Sequence, residues 1–429
     1  DAYRISSGPD HPAFASALNN LAIIYQEMGR FDESLPILEE AERIDSAAGV
    51  VAIADRIAVN SNIANVALWK GDLNEAERRY RACLRIAEDH ETESEETYAI
   101  CLANLGILLR NNGRCAEADS LYRRALELME VYYEPDQLEC TKLRTLIAET
   151  IICRGLCAEA ANELATVQRD LKNTVGSQHP DYAIAVSLLA CAQEQCGEYG
   201  VAVENARAAW RIRVKMLNDL LPVLAEKNAL DYSEEFLSES SNLLSVLINC
   251  REHGVDVESY LSEVTISSKG RVTEGLLRRR SERATSTDPT VQALHDSLNM
   301  TRTEMSNHYV WGADDDSESF DLQLATLTTL KRRLEQDLAE KLGTSDYSTV
   351  DTLDVEMIAK ALPERTVLID YVRYDHRTVG LETEPRYLAL LVSRSETAVF
   401  ELGAAASIDT MVQSYRRHMN RDLGLDFGE

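Results

Sequence analysis

The sequence predicts a mainly α fold, in which a solenoid of two-helix repeats precedes a helical hairpin and the start of an α/β domain. The repeats are indicated by three ladders of residues that each step by 42 positions through five copies. The α/β start is indicated by a change to period-two alternation near the C-terminal end. The ladders are small residues (Ala22, Ala64, Gly106, Ala148, Ala190), glycines (Gly29, Gly71, Gly113, Gly155, Gly197) and again small residues (Ser34, Ala76, Ala118, Ala160, Ala202).

Each repeat is predicted to be a pair of helices. In the first copy, apolar residues at helical spacing predict helix A over Pro12–Met28 and helix B over Asp32–Ile44. Gly29 follows helix A, where a left-handed cap favours glycine. The small residue Ala22 would let the two helices approach closely. We therefore expect each pair to bury its apolar face only against its neighbours, which is typical of arrays that bind partners.

The opposite face of helix A is predicted to line a binding groove. Asparagine is a mediocre helix former, so asparagines repeated at the 42-residue step need an explanation. They could hydrogen-bond the backbone of an extended peptide, or they could bond to the neighbouring repeat. In copies four and five the same place holds Leu146 and Leu188, so the groove would become apolar. The predicted groove residues are Asn20, Asn62, Asn65, Trp69, Asn104 and Asn111.

These strings resemble the tetratricopeptide repeat. The segments that carry the resemblance are Asn20–Tyr25 (NLAIIY) and Gly29–Glu33 (GRFDE). The 42-residue length is similar to the kinesin-light-chain subtype, which carries a Gly-x-x-His-Pro entry before helix A. That entry stands here at Gly8–Pro12 and returns at Gly176–Pro180, four steps later. The resemblance implies five repeats over residues 1–216, which would bind a protein or peptide partner.

The 42-residue step weakens and then ends after the fifth copy. A degenerate sixth repeat is expected over residues 217–268, with Gly254 at its turn. Residues 269–344 are predicted to form a helical hairpin linker, with helices over Val272–Ala284, Thr290–Tyr309 and Phe320–Leu342. The last of these carries a leucine stripe that we expect to pack on the last repeats or on the first strand. The stripe is Leu322, Leu324, Leu327, Leu330, Leu334 and Leu338.

Residues 345–429 are predicted to begin an α/β domain. Alternating apolar residues predict strands over Thr366–Val372, Arg386–Val392 and Ala398–Leu402, and a helix over Ser407–Met419. A helical hairpin followed by Leu368-Ile369-Asp370-Tyr371, the second strand and Leu402-Gly403 resembles the opening of a CHAT domain. Such caspase-like α/β domains commonly follow tetratricopeptide repeats. The resemblance implies that the parent protein is a cysteine endopeptidase.

No catalytic residue can be assigned in this sequence. The CHAT resemblance implies a His followed by a Cys nucleophile, but no cysteine follows Cys250. His253 superficially matches a catalytic His-Gly pair but lies at the expected turn of the sixth repeat. His376 and His418 are interpreted as surface residues. We therefore predict no catalytic site, no metal site and no cofactor in this chain.

The net charge of −28 disfavours direct binding to nucleic acid or to an anionic membrane. A nucleoprotein effector could still be contacted through its protein. The basic run Arg278, Arg279, Arg280 and Arg283 is interpreted as a solvated helix face. The nine cysteines form no Cys-x-x-Cys pair and are interpreted as small buried hydrophobes in a reducing cytoplasm.

Two functions therefore remain open from the sequence. One is the partner-binding sensor and N-terminal portion of a CHAT-type endopeptidase, activated by a protein partner. The resemblance implies a place in bacterial defence, where relatives of this architecture associate with RNA-guided, CRISPR-type effectors or with other sensors and cleave a protein target when triggered. The alternative is a non-catalytic tetratricopeptide scaffold or adaptor.

Overall fold

A computed structural model describes most of the chain, and contacts within it divide the protein into two compact units, Asp1–Ser177 and Gln178–Glu429. The predicted helix over Val272–Ala284, with the basic run within it, lies outside the described residues. The described residues are 10–27, 30–48, 53–89, 95–220, 240–268, 288–311, 317–342, 355–377 and 383–423.

The described part of the first unit is four pairs of helices, each packed on its partner and on the next pair. Helix A of the first copy is described as far as Glu27, and the predicted last residue Met28 lies outside the described residues. Helix B extends four residues further than predicted. The eight helices are α1 (Pro12–Glu27), α2 (Phe31–Ala48), α3 (Ile53–Trp69), α4 (Leu73–Asp89), α5 (Glu95–Asn111), α6 (Cys115–Met129), α7 (Leu138–Cys153) and α8 (Cys157–Thr174).

The ladders of small residues stand where paired helices touch, and every member of both ladders is buried. Gly106 shows how closely two of these helices approach each other. A Cβ built at Gly106 would lie 2.5 Å from the ring of Tyr122 on the partner helix. Tyr122 is fully buried, so its ring occupies the space that a side chain at Gly106 would need.

From Gly71 onward, the glycine ladder ends the first helix of each pair. Gly71 has φ +76°, and the amide of the following Asp72 donates to the carbonyl of Ala67 at 2.9 Å. This six-residue closure is a Schellman motif, which favours glycine because the left-handed conformation costs it little. It recurs with bonds from Arg114 to Leu109 and from Leu156 to Ile151. The sequence therefore repeats the turn as well as the helices.

The second unit begins with two more helix pairs. A glycine turn also joins the two helices of the second pair, where the amide of Val255 donates to the carbonyl of Cys250 at 3.1 Å and Gly254 has φ +85°. This is the turn expected for a degenerate sixth repeat. The four helices are α9 (Pro180–Gln195), α10 (Tyr199–Leu220), α11 (240–252) and α12 (Glu258–Ser268).

The helical hairpin consists of α13 (Pro289–Trp311) and α14 (Ser317–Leu342), which pack on each other. Their shared core contains Leu298 and Leu338, both fully buried. The expectation that the leucine stripe packs on the repeats or on the first strand is therefore corrected for its C-terminal part, which packs on α13. Leu330, at the middle of the stripe, is 43% exposed because it points away from this core.

A short helix, α15 (Val355–Ala361), leads into a three-stranded antiparallel sheet. The strands are β1 (Leu368–Arg377), β2 (Thr383–Val392) and β3 (Thr397–Ala404), in that spatial order, and α16 (Ala405–Leu423) follows. All three predicted strands and the predicted helix are present, although β1 extends five residues further than expected. A small antiparallel sheet occurs in many folds, so it does not establish a caspase-like domain.

One face of this sheet is buried and the other is partly open. Val372 and Tyr374 on β1 share the buried face with Leu390 on β2. On the opposite face, Tyr371 and Phe400 are about half exposed. Among the described helices, none is both long and apolar enough to cross a membrane.

Candidate partner-binding face

Four positions on the first helix of each repeat form one continuous stripe. On α5 these are Ile100, Asn104, Ile107 and Asn111, whose spacing of four, three and four residues places them on the same side of a helix. Ile100 is 52% exposed, Asn111 is exposed and Asn104 is half-buried. We call the equivalent positions of α1, α3 and α5 the amide stripe, because they include all the predicted groove asparagines.

On α3 the amide stripe presents an aromatic ring beside an amide. Trp69 is 56% exposed and stacks on Phe31 of the preceding repeat, with ring centroids 4.5 Å apart. Asn65 is also exposed, and its Oδ1 accepts a hydrogen bond from the hydroxyl of Tyr80 at 2.6 Å. The Asn65 amide nitrogen therefore remains the group with which a ligand could bond.

The asparagines that recur at the 42-residue step do not share one environment. Asn62 Nδ2 donates to Asn19 Oδ1 of the preceding repeat at 2.8 Å, and the Asn62 carbonyl accepts from Gln26 at 3.3 Å. Asn20 is exposed. This geometry favours the inter-repeat interpretation for Asn62 and leaves the peptide-binding interpretation open for Asn20. Asn19 was missed because it does not recur at the 42-residue step.

Charge is divided unequally between the two helices of a repeat. α1 has one charged residue and α3 has two, whereas α2 has seven and α4 has eight. The second helices use their charges for ion pairs between repeats, such as Arg114 with Glu77 at 2.8 Å and Arg79 with Glu42. The amide stripe is therefore a nearly uncharged surface on a strongly acidic protein.

The family comparison agrees with the repeat geometry. A family model described as tetratricopeptide repeat matches residues 1–47 and 55–131, which include α1 and α4–α6 and nearly all of α2 and α3. The chain contains tetratricopeptide repeats. No curated protein matches the sequence significantly.

Solved structures with related repeats are of low similarity. The TPR-like repeats of a kinesin light chain from Podosopora anserina are 21% identical, with 48% of this chain and 98% of that chain covered and a TM-score of 0.43. The apo form of RapI is 11% identical over 76% of this chain and 98% of its own, with a TM-score of 0.44. A signal transduction ATPase from Pyrococcus horikoshii with a tetratricopeptide repeat sensor is 15% identical, covering 62% and 43%, with a TM-score of 0.42. Because all three TM-scores are below 0.5, nothing about function follows from them.

The histidines of the tetratricopeptide repeat protein do not assemble a catalytic site among the described residues. His253 is exposed at the sixth turn, where it stacks on Tyr199. His376 is buried, which corrects its interpretation as a surface residue. Burial, followed by the charge of Arg386, lowers the pKa of His376. The side chain of His418 lies outside the described residues. No group of three metal-ligating side chains is found in the described part of the chain.

The interpretation of every cysteine as a buried thiol is also corrected. Cys115 and Cys153 form a disulfide that joins the third and fourth repeats, with a Cα–Cα distance of 6.3 Å. The two residues are 38 positions apart, which is also the separation of Phe31 and Trp69. Both pairs join the turn of one repeat to the end of the next repeat's first helix. Pairing needs only this recurrent approach. The signal in the sequence was a cysteine just after one turn glycine and another at the end of the next first helix, because the spacing of 38 alone also separates Cys153 from the free Cys191.

The sheet is anchored to the last repeats by polar contacts within the second unit. The buried guanidinium of Arg377 at the end of β1 forms an ion pair with Glu194 on α9. Glu194 also accepts from Asn249 Nδ2 on α11 at 3.1 Å. Ser245 Oγ donates to the carbonyl of Asp375 at 3.1 Å and accepts from the amide of Arg377 at 3.0 Å. We call Glu194, Ser245, Asn249 and Arg377 the sheet anchor.

Proposed function

We propose that this protein binds a protein or peptide partner along the amide stripe of its tetratricopeptide repeats. The observation that carries the proposal is an exposed, nearly uncharged row of amide, aromatic and aliphatic side chains on a chain of charge −28. Partner binding also follows from what such repeats do in general, since stacked arrays present extended surfaces.

The chemistry of the stripe favours an extended segment with few charges. Each carboxamide can donate and accept hydrogen bonds, which matches the alternating N–H and C=O groups of an extended backbone. Trp69 and Ile100 would contact apolar side chains of the partner. A nucleoprotein could be bound in the same way, through a segment of its protein.

The test uses peptides selected from a random display library on the whole protein, followed by titration calorimetry. Asn104→Asp with Asn111→Asp would place two carboxylates on the stripe, and we expect binding to weaken at least tenfold. The matched control is Arg124→Ala on the exposed side of α6, which should leave binding unchanged. Equal loss in both variants, or none in the first, would place the peptides elsewhere.

A finer candidate is the sensor and N-terminal portion of a CHAT-type cysteine endopeptidase. It is favoured by the order of elements after the repeats and by the sheet anchor, which could pass a signal from repeats to sheet. The organisation proposed with it is five repeats over 1–216, a sixth over 217–268, a hairpin over 269–344 and an α/β portion over 345–429. A non-catalytic scaffold remains the alternative.

The two candidate functions predict different lengths and activities for the native protein. The endopeptidase proposal expects the native protein to be longer than residues 1–429, with a His/Cys dyad in the added part and thiol-dependent cleavage of a target. Residues 1–429 alone should not hydrolyse peptide bonds, because no cysteine follows Cys250. The intact mass of the native protein, measured together with peptidase activity in the presence and absence of iodoacetamide, distinguishes the endopeptidase from the scaffold. A native protein of matching mass that cleaves nothing supports the scaffold.

A further inference from the structure

A histidine is buried where the sheet meets the last repeats. His376 lies on β1 and is 6% exposed. Its two neighbours along the strand are held by the sheet anchor, because Ser245 Oγ on α11 accepts from the amide of Arg377 and donates to the carbonyl of Asp375. The strand is therefore bonded to the repeats on both sides of the imidazole.

The His376 side chain lies on the buried face of the sheet beside Tyr374. The two rings meet edge to face with their centroids 5.8 Å apart, and Tyr374 is 1% exposed. Among the described residues, neither the Tyr374 hydroxyl nor His376 Nδ1 has a hydrogen-bond partner. A neutral imidazole tolerates this site better than a charged one, because the imidazolium carries a proton on Nδ1 that would meet no acceptor here.

The charged side chains that share this face of the sheet are paired with one another. Directly opposite residues of an antiparallel pair lie on the same face, and Glu384 and Arg386 on β2 stand opposite His376 and Tyr374. Arg386 donates to Glu384 at 3.1 Å and also to Glu401 on β3. Both carboxylates on this face therefore already bind a guanidinium.

The repeats bring further paired charges to the same junction. Arg377 forms its buried ion pair with Glu194 on α9. Arg251 on α11 donates to the carbonyl of Val399 on β3 at 3.2 Å and to Glu258 at 3.4 Å. A proton on the imidazole would therefore add positive charge where three guanidiniums are already held.

The balance of these surroundings opposes protonation of the ring. Burial, followed by the charge of Arg386 and with a smaller effect of Arg377, lowers the pKa of His376. The charges of Glu401 and of the exposed Glu252 on α11 act in the opposite direction but do not outweigh burial.

We propose that His376 is a pH-sensitive switch, whose neutral form holds β1 on α11 and whose protonation releases the strand. In the released strand the imidazole meets water and binds a proton with its usual pKa near 6.5. The docked strand binds that proton less tightly, so docking is strongest above about pH 6.5 and weakens as the pH falls below it. The switch does not depend on what binds the amide stripe.

The experiment measures amide hydrogen exchange of the whole protein at pH 7.5 and at pH 5.0, with labelling times scaled for the change in intrinsic exchange rate. Peptides that cover the end of β1 report its opening, since Ser245 protects the amide of Arg377. We expect the opening equilibrium constant to rise several-fold at the lower pH. One histidine of usual pKa sets a ceiling of about 30-fold over this range.

Two variants remove the group that binds the proton. In His376→Gln and His376→Phe, the rise in opening between the two pH values should be below twofold. The matched control is His253→Gln, at the exposed turn of the sixth repeat, which should keep the rise of the parent. An equal opening of β1 at both pH values in the parent would overturn the switch, as would a full rise in both His376 variants.

A second measurement needs no variant. The C2 hydrogen of an imidazole exchanges with deuterium at a rate that follows the protonation of the ring, and trypsin releases His376 alone among the histidines in residues 374–377. The mass of this peptide after labelling at several pH values gives the titration midpoint of His376. We expect a midpoint below 6.5, and a midpoint at or above 6.5 would contradict the switch.

Discussion

Arg377, at the end of β1, is 3% exposed and forms an ion pair with Glu194 on α9, whose side chain is 11% exposed. The two residues are 183 positions apart, and Asn249 on α11 bonds to the same carboxylate. Burial of two opposite charges is tolerated when they are paired and hydrogen-bonded, and removal of one leaves the other uncompensated. The sheet anchor thus fixes β1 to two different repeats.

Arg377→Met should destabilise the second unit strongly, because the Glu194 carboxylate would remain without its guanidinium partner. We expect a loss of about 3–5 kcal/mol in the free energy of unfolding, measured by urea denaturation. Adding Glu194→Leu should recover most of that loss. Arg394→Met, at an exposed pair with Glu364, is the control and should cost less than ~1 kcal/mol. Similar losses of stability in Arg377→Met and Arg394→Met would show that the sheet anchor contributes little to the stability of the second unit.

Gly106→Ala should destabilise the third repeat, because its Cβ would enter the space of the Tyr122 ring. We expect a loss of about 1–3 kcal/mol in thermal or chemical unfolding. The pairs Ala22 with Leu38 and Ala148 with Leu164 occupy the same positions in other repeats. Tyr122→Leu should therefore restore stability to the alanine variant, and the absence of any rescue would contradict the steric explanation.

Asn62→Ala and Asn20→Ala should differ in their effect on stability, although both asparagines recur at the 42-residue step. Asn62 would lose its hydrogen bond to Asn19, at a cost of about 0.5–1.5 kcal/mol of stability. Asn20 is exposed, and alanine is the better helix former, so stability should be unchanged or slightly higher. Peptide binding should weaken in Asn20→Ala. Equal melting temperatures for the two variants would contradict this division of roles.

Asp45 should make stability depend on pH. It is buried near the end of α2, and in the described residues its carboxylate has no hydrogen-bond partner. Burial, with repulsion from Asp55, raises the pKa of Asp45 to about 6. The folded state therefore holds a proton that the unfolded state releases near pH 4, so stability falls as the pH rises from about 4 to 6.

Asp45→Asn should remove that dependence. We expect the variant to be more stable than the parent by ~1–2 kcal/mol at pH 7, after allowance for solvent screening, and equal to it below pH 4. Urea denaturation at several pH values provides the measurement. A constant difference at all pH values would mean that Asp45 does not titrate in this range.

Leu338→Asp and Leu330→Asp should have opposite consequences for the hairpin. Leu338 is fully buried against α13, so an unpaired charge there should unfold α13 and α14 locally. Leu330 is 43% exposed, so aspartate should be tolerated within about 0.5 kcal/mol. Hydrogen exchange of residues 289–342 measures both. A strong loss of protection from hydrogen exchange in Leu330→Asp would instead indicate a buried contact at that residue.

The repeating parts of this protein could be predicted from the order of its residues alone. The 42-residue step predicted the helix pairs and their turns, because a small residue at a helix crossing and a glycine after a helix act within one repeat. The strands followed from alternation over a few residues. These features depend on neighbours close in the chain, so the pattern of residue types is enough to reveal them.

The tertiary structure sets how residues that are distant in the chain are used. It paired Cys115 with Cys153, Asn62 with Asn19, and Glu194 with Arg377, and it buried His376 where the sequence suggested a surface residue. It also packed the C-terminal part of the leucine stripe on α13. Each outcome depends on which helices and strands come together in space. The type of a residue says little about its partner in the fold, because an asparagine, cysteine or leucine can equally contact a ligand, bond to a neighbouring repeat or pack in a core.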